Sequence, residues 1–355
     1  MTHPAKLDPL YETAKQLILD TRNPTISLIW RRMLIGYDRA VNLIQAMEGE
    51  IVTSRDKSGH WKMLVGETYD VRSDPYWADV NSWIWCGDET HSQQAHITAN
   101  CFSERGVGKF RNGDAILFLG FPQQGTVREH GWLDFSEPRY FAIADSVSSI
   151  GVEPRKASRR LLTILCELYD VPANTSISEF LQHMQKKFAA LGDKPEYFGM
   201  ASTLVGARLV GNTATIFNVG DSRAYLLTDS ANGCQAKLLS RDHNVLNDML
   251  DDGYITPEQA KNAARLYRGL TSQFTADPAY DELKVNIVTH TLQQGERLLL
   301  CSDGLNEVLS DAEIAELFAE NSGKALIKAY MASRRAGGRD DFSVIVIEVA
   351  GLTPI

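Results

Sequence analysis

The stretch Arg297-Leu-Leu-Leu-Cys-Ser-Asp303-Gly304 is an apolar run of strand length that ends on a carboxylate and a glycine. It reads as a buried strand that delivers a charged ligand to the rim of a sheet. The pattern recurs on either side of it. Tyr140-Phe-Ala-Ile-Ala-Asp145 also ends on Asp, and Thr215-Ile-Phe-Asn-Val-Gly-Asp221 does so after a glycine. Asp114-Ala-Ile-Leu-Phe-Leu and Asp340-Asp341-Phe-Ser-Val-Ile-Val-Ile each start from one. Asp is rarely buried without a partner, so carboxylates gathered by several strands at one sheet edge point to a shared hard cation.

At 355 residues the chain exceeds one average domain and predicts two, one of them large. Its 44% hydrophobic and 23% charged residues are those of a soluble globular protein, and the net charge of −9 excludes wholesale coating of nucleic acid. Any nucleic-acid contact is then local. There is no apolar run of about 18 residues, and Met1-Thr-His-Pro-Ala-Lys-Leu-Asp has no apolar core, so a cytoplasmic protein without a membrane partner is expected. The cysteines Cys86, Cys101, Cys166, Cys234 and Cys301 are scattered, with no C-x-x-C pair, and read as reduced thiols.

Residues 9–20 carry Leu10, Ala14, Leu17 and Ile18 at helical spacing after Asp8 as N-cap. Residues 25–34 predict a second helix, Gly36 a turn, and residues 38–47 a third helix with Ala40, Val41, Ile44 and Met47 on one face. Ile51-Val-Thr-Ser and His60-Trp-Lys-Met-Leu flank a polar turn and form a hairpin. Helix-turn-helix followed by hairpin is a winged helix. On "DPLYETA", "ISLIWRRMLIGYDRAVNLIQAME" and "GEIVTS", this segment resembles the DNA-binding gamma domain of FtsK-type translocases. The resemblance implies contact with double-stranded DNA, and it carries the family's base-reading positions onto Asp38, Asn42 and Gln45, all of which differ from the family's residues. Arg39, Arg31 and Arg32, with Arg55 and Lys57 in the wing, are suited to phosphate contacts. Residues 1–66 hold 9 Lys and Arg against 7 Asp and Glu, a balance of +2. A protein-docking or dimerisation module is the alternative.

Residues 67–94, with Trp77, Trp83 and Trp85, form a linker expected to lie on a domain surface. Residues 95–355 alternate strands near 95–102, 115–119, 139–144, 203–210, 213–228, 283–289, 297–301 and 343–349 with helices at 155–169, 178–191, 311–320 and 324–334. A helical insert at 245–267 is broken by Gly253 and restarted at Thr256-Pro257. The fold class is α+β: a β-sandwich flanked by helices, with a small N-terminal winged-helix domain at 1–66.

The motifs "FRNGDAIL", "FAIAD", "GMASTLV", "FNVGDSRAYLL", "LLLCSDGLNEVLSD" and "GGRDDFSVIVIEV" occur in one order, and on them the large domain resembles the type 2C metal-dependent serine/threonine protein phosphatases. The resemblance implies two Mn²⁺ or Mg²⁺ ions, with a weaker third. It implies that Asp145 bridges both metals, that Asp303 and Asp340 hold one, that the Ser146 carbonyl is a ligand, and that Asp114 orients water. Asp221 and Glu307 match the weaker third-ion positions, with turn formation and solvated charge as the alternative. Lys109, or Arg111 two residues on, aligns with the phosphate-binding Arg. A phosphoprotein substrate and a cognate serine/threonine kinase are implied partners.

Three departures stand out. Gly113 replaces a Glu or Gln, Asp145-Ser-Val-Ser-Ser replaces a glycine-rich loop, and Asp340-Asp341 replaces Asp-Asn. The expected function is an active phosphoprotein phosphatase targeted to DNA or to a DNA-associated complex. The alternative is a noncatalytic pseudophosphatase acting as a DNA-bound regulator or phosphoprotein scaffold.

Overall fold

The computed structural model describes residues 6, 8–21, 29, 37–54, 63–64, 93–134, 139–147, 155–167, 176–231, 233–261, 269–280, 283–320 and 323–354. The expected helix at 25–34 with Arg31 and Arg32, the wing residues Arg55 and Lys57, the tryptophan-bearing linker and Cys86 lie outside the described residues. The chain divides into two compact units, Met1–Trp85 and Cys86–Ile355.

In the small unit, helices Tyr11–Thr21 and Tyr37–Gln45 are described. Their apolar faces, with Tyr11, Ala14, Ile18, Ala40, Leu43 and Ile44, share one core with Met47, Val52 and Met63. Val52 bridges Met63 in antiparallel fashion, as the expected hairpin requires. Two polar clusters tie the ends of this unit together. Glu50 accepts from Lys6, from Lys15 and from the Tyr11 hydroxyl, and the bonds from Lys15 first, then Lys6, pull its carboxyl down to about 2. Asp8 accepts from Arg39 Nε and Nη2, both at 2.7 Å, and from the Leu10 amide at 2.9 Å.

The large unit is two antiparallel six-stranded sheets face to face with helices outside. One sheet runs β11 (Gly233–Leu238), β10 (Arg223–Ser230), β14 (Arg297–Cys301), β15 (Phe342–Pro354), β1 (Gln93–Glu104), β4 (Val127–Asp134). The other runs β13 (Asn286–Thr291), β9 (Thr213–Val219), β8 (Leu204–Val210), β5 (Arg139–Ala144), β2 (Ala115–Phe118), β3 (Phe121–Gln124). A small third sheet joins β12 (Phe274–Thr275), β7 (Ala201–Ser202) and β6 (Ser146–Val147).

Both faces of each sheet are covered, which explains the continuous apolar runs in antiparallel strands. Alternation divides each run between two cores. Leu298 and Leu300 of β14, Ile345 and Ile347 of β15, Phe141 and Ile143 of β5, and Val205 and Ala207 of β8 point between the sheets. Leu299, Cys301, Val344 and Val346 pack against Leu305, Ile314, Phe318, Leu326 and Ala329 of the outer helices. Ala142, Ala144 and Val219 pack beneath Leu161, Leu165, Leu181, Met184 and Phe188 of the opposite helices. Those helices are Arg155–Glu167 and Ile177–Ala189, the second started by a Ser176–Glu179 capping box.

Several expectations shift. The strand expected at 283–289 runs over Asn286–Thr291, because its pairing with β9, Ile287 opposite Phe217, fixes its register. The strands β3, β4 and β11 carry too many polar and proline residues to read as strands from pattern alone, and pairing creates them. The insert appears as helices Val245–Asp251 and Pro257–Lys261, and residues 262–268 lie outside the described residues. No helix among the described residues is long and apolar enough to cross a membrane.

Leu300 is fully buried between the sheets. Leu300→Ala is expected to cost about 2–5 kcal/mol, seen as a lowered denaturant midpoint with an unchanged slope.

Candidate active site

The carboxylates meet because antiparallel neighbours start and end at the same edge. In the register Ala115↔Ala144, Asp114 enters β2 where Asp145 leaves β5. In the register Cys301↔Val344, Ser302 and Asp303 leave β14 where Asp341 enters β15. The Ser302 hydroxyl then donates to Asp114 Oδ2 at 2.7 Å, joining one sheet to the other at this edge. Asp303 is not a strand end but the first residue of a short helix, Asp303–Asn306. Its successor Gly304 is required: a Cβ there would stand 1.9 Å from the Asp341 carbonyl oxygen.

Asp114 is fully buried. Asp145 and Asp303 are half-buried, open to solvent on one side as a binding site must be. Burial first, and the Asp341 charge second, push the Asp114 carboxyl up to about 6. Asp145 and Asp303 are held well above the ordinary carboxylate range by burial and by the neighbouring Asp charges. Asp221 is raised to about 6 by burial and by Asp242, with a smaller push from Glu307. Asp114, Asp145, Asp303, Asp340, Asp341 and Asp221 therefore act on one another as a single cluster, with Asp242 and Glu307 beside Asp221.

The fit to a hard cation can be judged from this cluster. Asp114 Oδ1 and Asp303 Oδ1 are buried and have no hydrogen-bond partner. Buried carboxylate oxygens without donors, among like charges, form an oxygen-only donor set suited to Mg²⁺ or Mn²⁺. As it stands, no three of the described acids, histidines and cysteines already form a chelating group. Asp340 is instead turned to Lys109, whose ammonium bonds Asp340 Oδ1 and, at 2.9 Å, Asp341 Oδ2. Burial alone would lower the Lys109 pKa, and the bonds from Asp340 and Asp341 outweigh it and hold the ammonium above its usual range.

In the sequence Asp341 stands out only as the replacement of an Asn by a second acid. In the fold it is 2% exposed and saturated with donors. Gly106 N bonds Oδ1 at 2.7 Å, and Gly113 N bonds Oδ2 at 2.9 Å alongside Lys109. A Cβ on Gly113 would lie 3.0 Å from that Oδ2. The missing side chain at 113 and the added carboxylate at 341 are thus one linked arrangement.

The hydroxyl network was also missed. Ser343 N donates to Ser302 Oγ, Ser103 and Ser343 share a 2.7 Å bond, and Asn112 Nδ2 donates to Ser103 Oγ. The available signal was a small hydroxyl residue directly beside a carboxylate at the end of an apolar run, Ser302 before Asp303. Thr203 serves similarly, its Oγ1 accepting from Asp145 N at 3.2 Å.

The glycine-poor loop needs no glycine where it is described. Ser146 and Val147 are the extended strand β6, paired with Ser202 and Ala201, and residues 148–150 lie outside the described residues. Ser146 Oγ accepts from Ser158 N, which leaves its carbonyl as the group to consider for a ligand. Asp221 follows Gly220, where φ is +101° and a Cβ would strike Thr203, so glycine is obligatory there. Glu307 is exposed at the end of the Asp303–Asn306 helix.

Arg111 does not join Lys109. It faces a separate cavity with Arg105 and Arg159, because residues 109 and 111 diverge on either side of the exposed Phe110. In the small unit, Arg39 is bound by Asp8, so its guanidinium closes the unit on itself. Asn42 is exposed, Gln45 is partly buried, and the side chain of Asp38 lies outside the described residues.

Residues 144–332 match the family model for protein phosphatase 2C, and residues 5–65 match that for the Ftsk gamma domain. The serine/threonine protein phosphatase PstP of Mycobacterium tuberculosis is 31% identical over 163 residues, 44% of this chain and 29% of that protein. Protein phosphatase PhpP of Streptococcus pneumoniae is 28% identical over 177 residues, 48% of this chain and 68% of its own length. The chain therefore spans less than a third of the mycobacterial relative. A solved catalytic domain of PstP, in complex with 2 manganese ions, superposes with a TM-score of 0.54 at 24% identity over 72% of this chain and 99% of its own.

Burial holds Asp114 at about 6 against an ordinary 3.8. Between about pH 4 and pH 6 the folded chain keeps a proton that the unfolded chain has released, so stability present below this window is lost as pH rises through it. In chelator, the melting temperature should fall between about pH 4 and pH 6, fall less in Asp114→Asn, and be restored at pH 7 by Mn²⁺.

Proposed function

The chain belongs to the protein phosphatase 2C family, and on that premise we propose that it is a metal-dependent phosphatase of phosphoserine and phosphothreonine in proteins. The observation that carries this reading is the cluster of Asp114, Asp145 and Asp303, in which Asp114 Oδ1 and Asp303 Oδ1 are buried without a donor. Such a cluster is compensated either by taking up protons or, at neutral pH, by a bound cation, and the cation is what a metal-dependent hydrolase uses.

In this reading Asp145, Asp303, Asp340 and the Ser146 carbonyl hold two Mn²⁺ or Mg²⁺ ions, and Asp221 with Glu307 holds a weaker third. The ions would supply Lewis-acid activation of water and neutralise charge on the phosphoryl group. Asp114, with its carboxyl near 6 and its orientation fixed by Ser302, takes up or holds a proton at its free Oδ1. Lys109 binds the phosphoryl oxygens as a point charge, and Asp341 positions it from behind. A serine/threonine kinase must supply the substrate, and a cytoplasmic setting completes the picture.

The Ftsk-gamma-like unit supports a finer proposal, that the phosphatase is delivered to double-stranded DNA or to a DNA-associated complex. The helix Tyr37–Gln45 presents Asn42 to solvent, where a duplex could meet it.

Release of phosphate from a phosphothreonine peptide should require Mn²⁺ or Mg²⁺ and fall by more than about a thousandfold in Asp145→Asn and in Asp303→Asn. Full activity in both folded variants would refute the assignment. Duplex affinity should fall steeply with salt and drop about tenfold in Asn42→Glu. Affinity unchanged by salt and by the variant would instead make the unit a protein-docking module.

A further inference from the structure

The segment from Lys109 to Asp114 has two sides. Lys109 and Asp114 face the acidic cluster, whereas Arg111 lines a separate cavity of about 650 Å³ with Arg105, Lys156, Arg159, Arg160 and Glu104. Five cations around one cavity repel each other, and they do so in a chain of net charge −9. Glu104, the one acid among the described residues that line it, is engaged by the Thr126 hydroxyl at 3.2 and 3.3 Å and by the Arg105 amide at 3.2 Å. Arg160 is engaged by Tyr197, at 2.6 Å to its hydroxyl and 4.2 Å over its ring. Arg105 donates to the carbonyls of Lys109 and Phe110 and so fixes the loop between the two sites. Arg111 and Arg159 make no side-chain hydrogen bond or ion pair among the described residues, and both are exposed.

A free anion would meet this charge, but a second feature specifies a polypeptide. Between Lys109 and Arg111 the ring of Phe110 is 83% exposed, and Val107 on the same loop is 54% exposed. A peptide lying across the loop covers both. Arg111 is three residues from Asp114, at most about 11 Å of extended chain. A bound peptide spans the same distance in about three to four residues.

We propose that this cavity binds a second phosphoryl group on the substrate polypeptide, three or four residues from the phosphoserine or phosphothreonine being hydrolysed. The protein then selects multiply phosphorylated segments. Arg111 and Arg159 supply the contacts, their planar guanidinium groups suiting phosphate oxygens. This inference rests on the phosphatase reading above, so its test needs an arm that does not depend on turnover.

In chelator, a fluorescent peptide with phosphothreonine and a phosphoserine three residues away should bind the full chain about tenfold tighter than the singly phosphorylated peptide. Peptides with the phosphoserine on either side cover both directions, and a glutamate at that position separates phosphate from carboxylate. Arg159→Glu should erase the preference and Arg159→Lys should retain most of it, with melting temperatures unchanged in both. With Mn²⁺, kcat/KM on the doubly phosphorylated peptide should fall about tenfold in Arg159→Glu while that on para-nitrophenyl phosphate stays within twofold. Equal binding of the two peptides, or a preference that survives Arg159→Glu, overturns the proposal. Loss of duplex DNA binding in Arg159→Glu without any peptide preference would assign the cavity to nucleic acid and also overturn it. Absence of turnover alone would refute the phosphatase reading and leave the binding arm to decide the cavity.

Discussion

Bringing several carboxylates together at the edge of a sandwich is the costly act on which the rest of this structure depends. Each loses water on burial, and each raises the energy of its neighbours. Asp114, Asp145 and Asp303 are all pushed toward the protonated form for these two reasons. Such an edge persists only if the two sheets are firmly packed behind it and the few available donors are well aimed. The cores on either side of each sheet provide the first condition. Ser302, held by Ser343 N and donating to Asp114, provides the second.

The departures at 113 and 340–341 make sense as one local exchange. Asp341 takes space beside Gly113 and is satisfied by two backbone amides and Lys109. It is therefore a buried, fully bonded anchor that binds residues 106–113 to the start of β15. Val107 N to Arg339 O at 2.8 Å, and Arg334 Nη1 to the carbonyls of Gly338 and Asp340, extend that stitching. The added negative charge is thereby compensated within the protein.

The small unit shows the same economy on a smaller scale. Its core is modest, and its ends are joined by exposed ion pairs at Glu50 and Asp8. Arg39 falls in this structural role, where a sequence pattern offers it as a phosphate contact. A cation is legible in sequence, but the acid that captures it is not, because Asp8 and Arg39 lie 31 residues apart.

The sequence by itself determined the apolar strands of the sandwich, the flanking helices and the aspartates beside those strands, because apolar runs and the residues bounding them are local properties of the chain, whereas the polar strands β3, β4 and β11 were not legible in it. It also located the cationic loop residues and the glycine before Asp221. Only the tertiary structure decided which of these groups meet. Ser302 reaches Asp114 across 188 residues, and Asp341 reaches Gly113 across 228. Whether Lys109 or Arg111 faces the acids likewise depends on how one loop turns around Phe110. Such contacts are set by antiparallel register and by the packing of two sheets, where one residue's shift exchanges inside for outside.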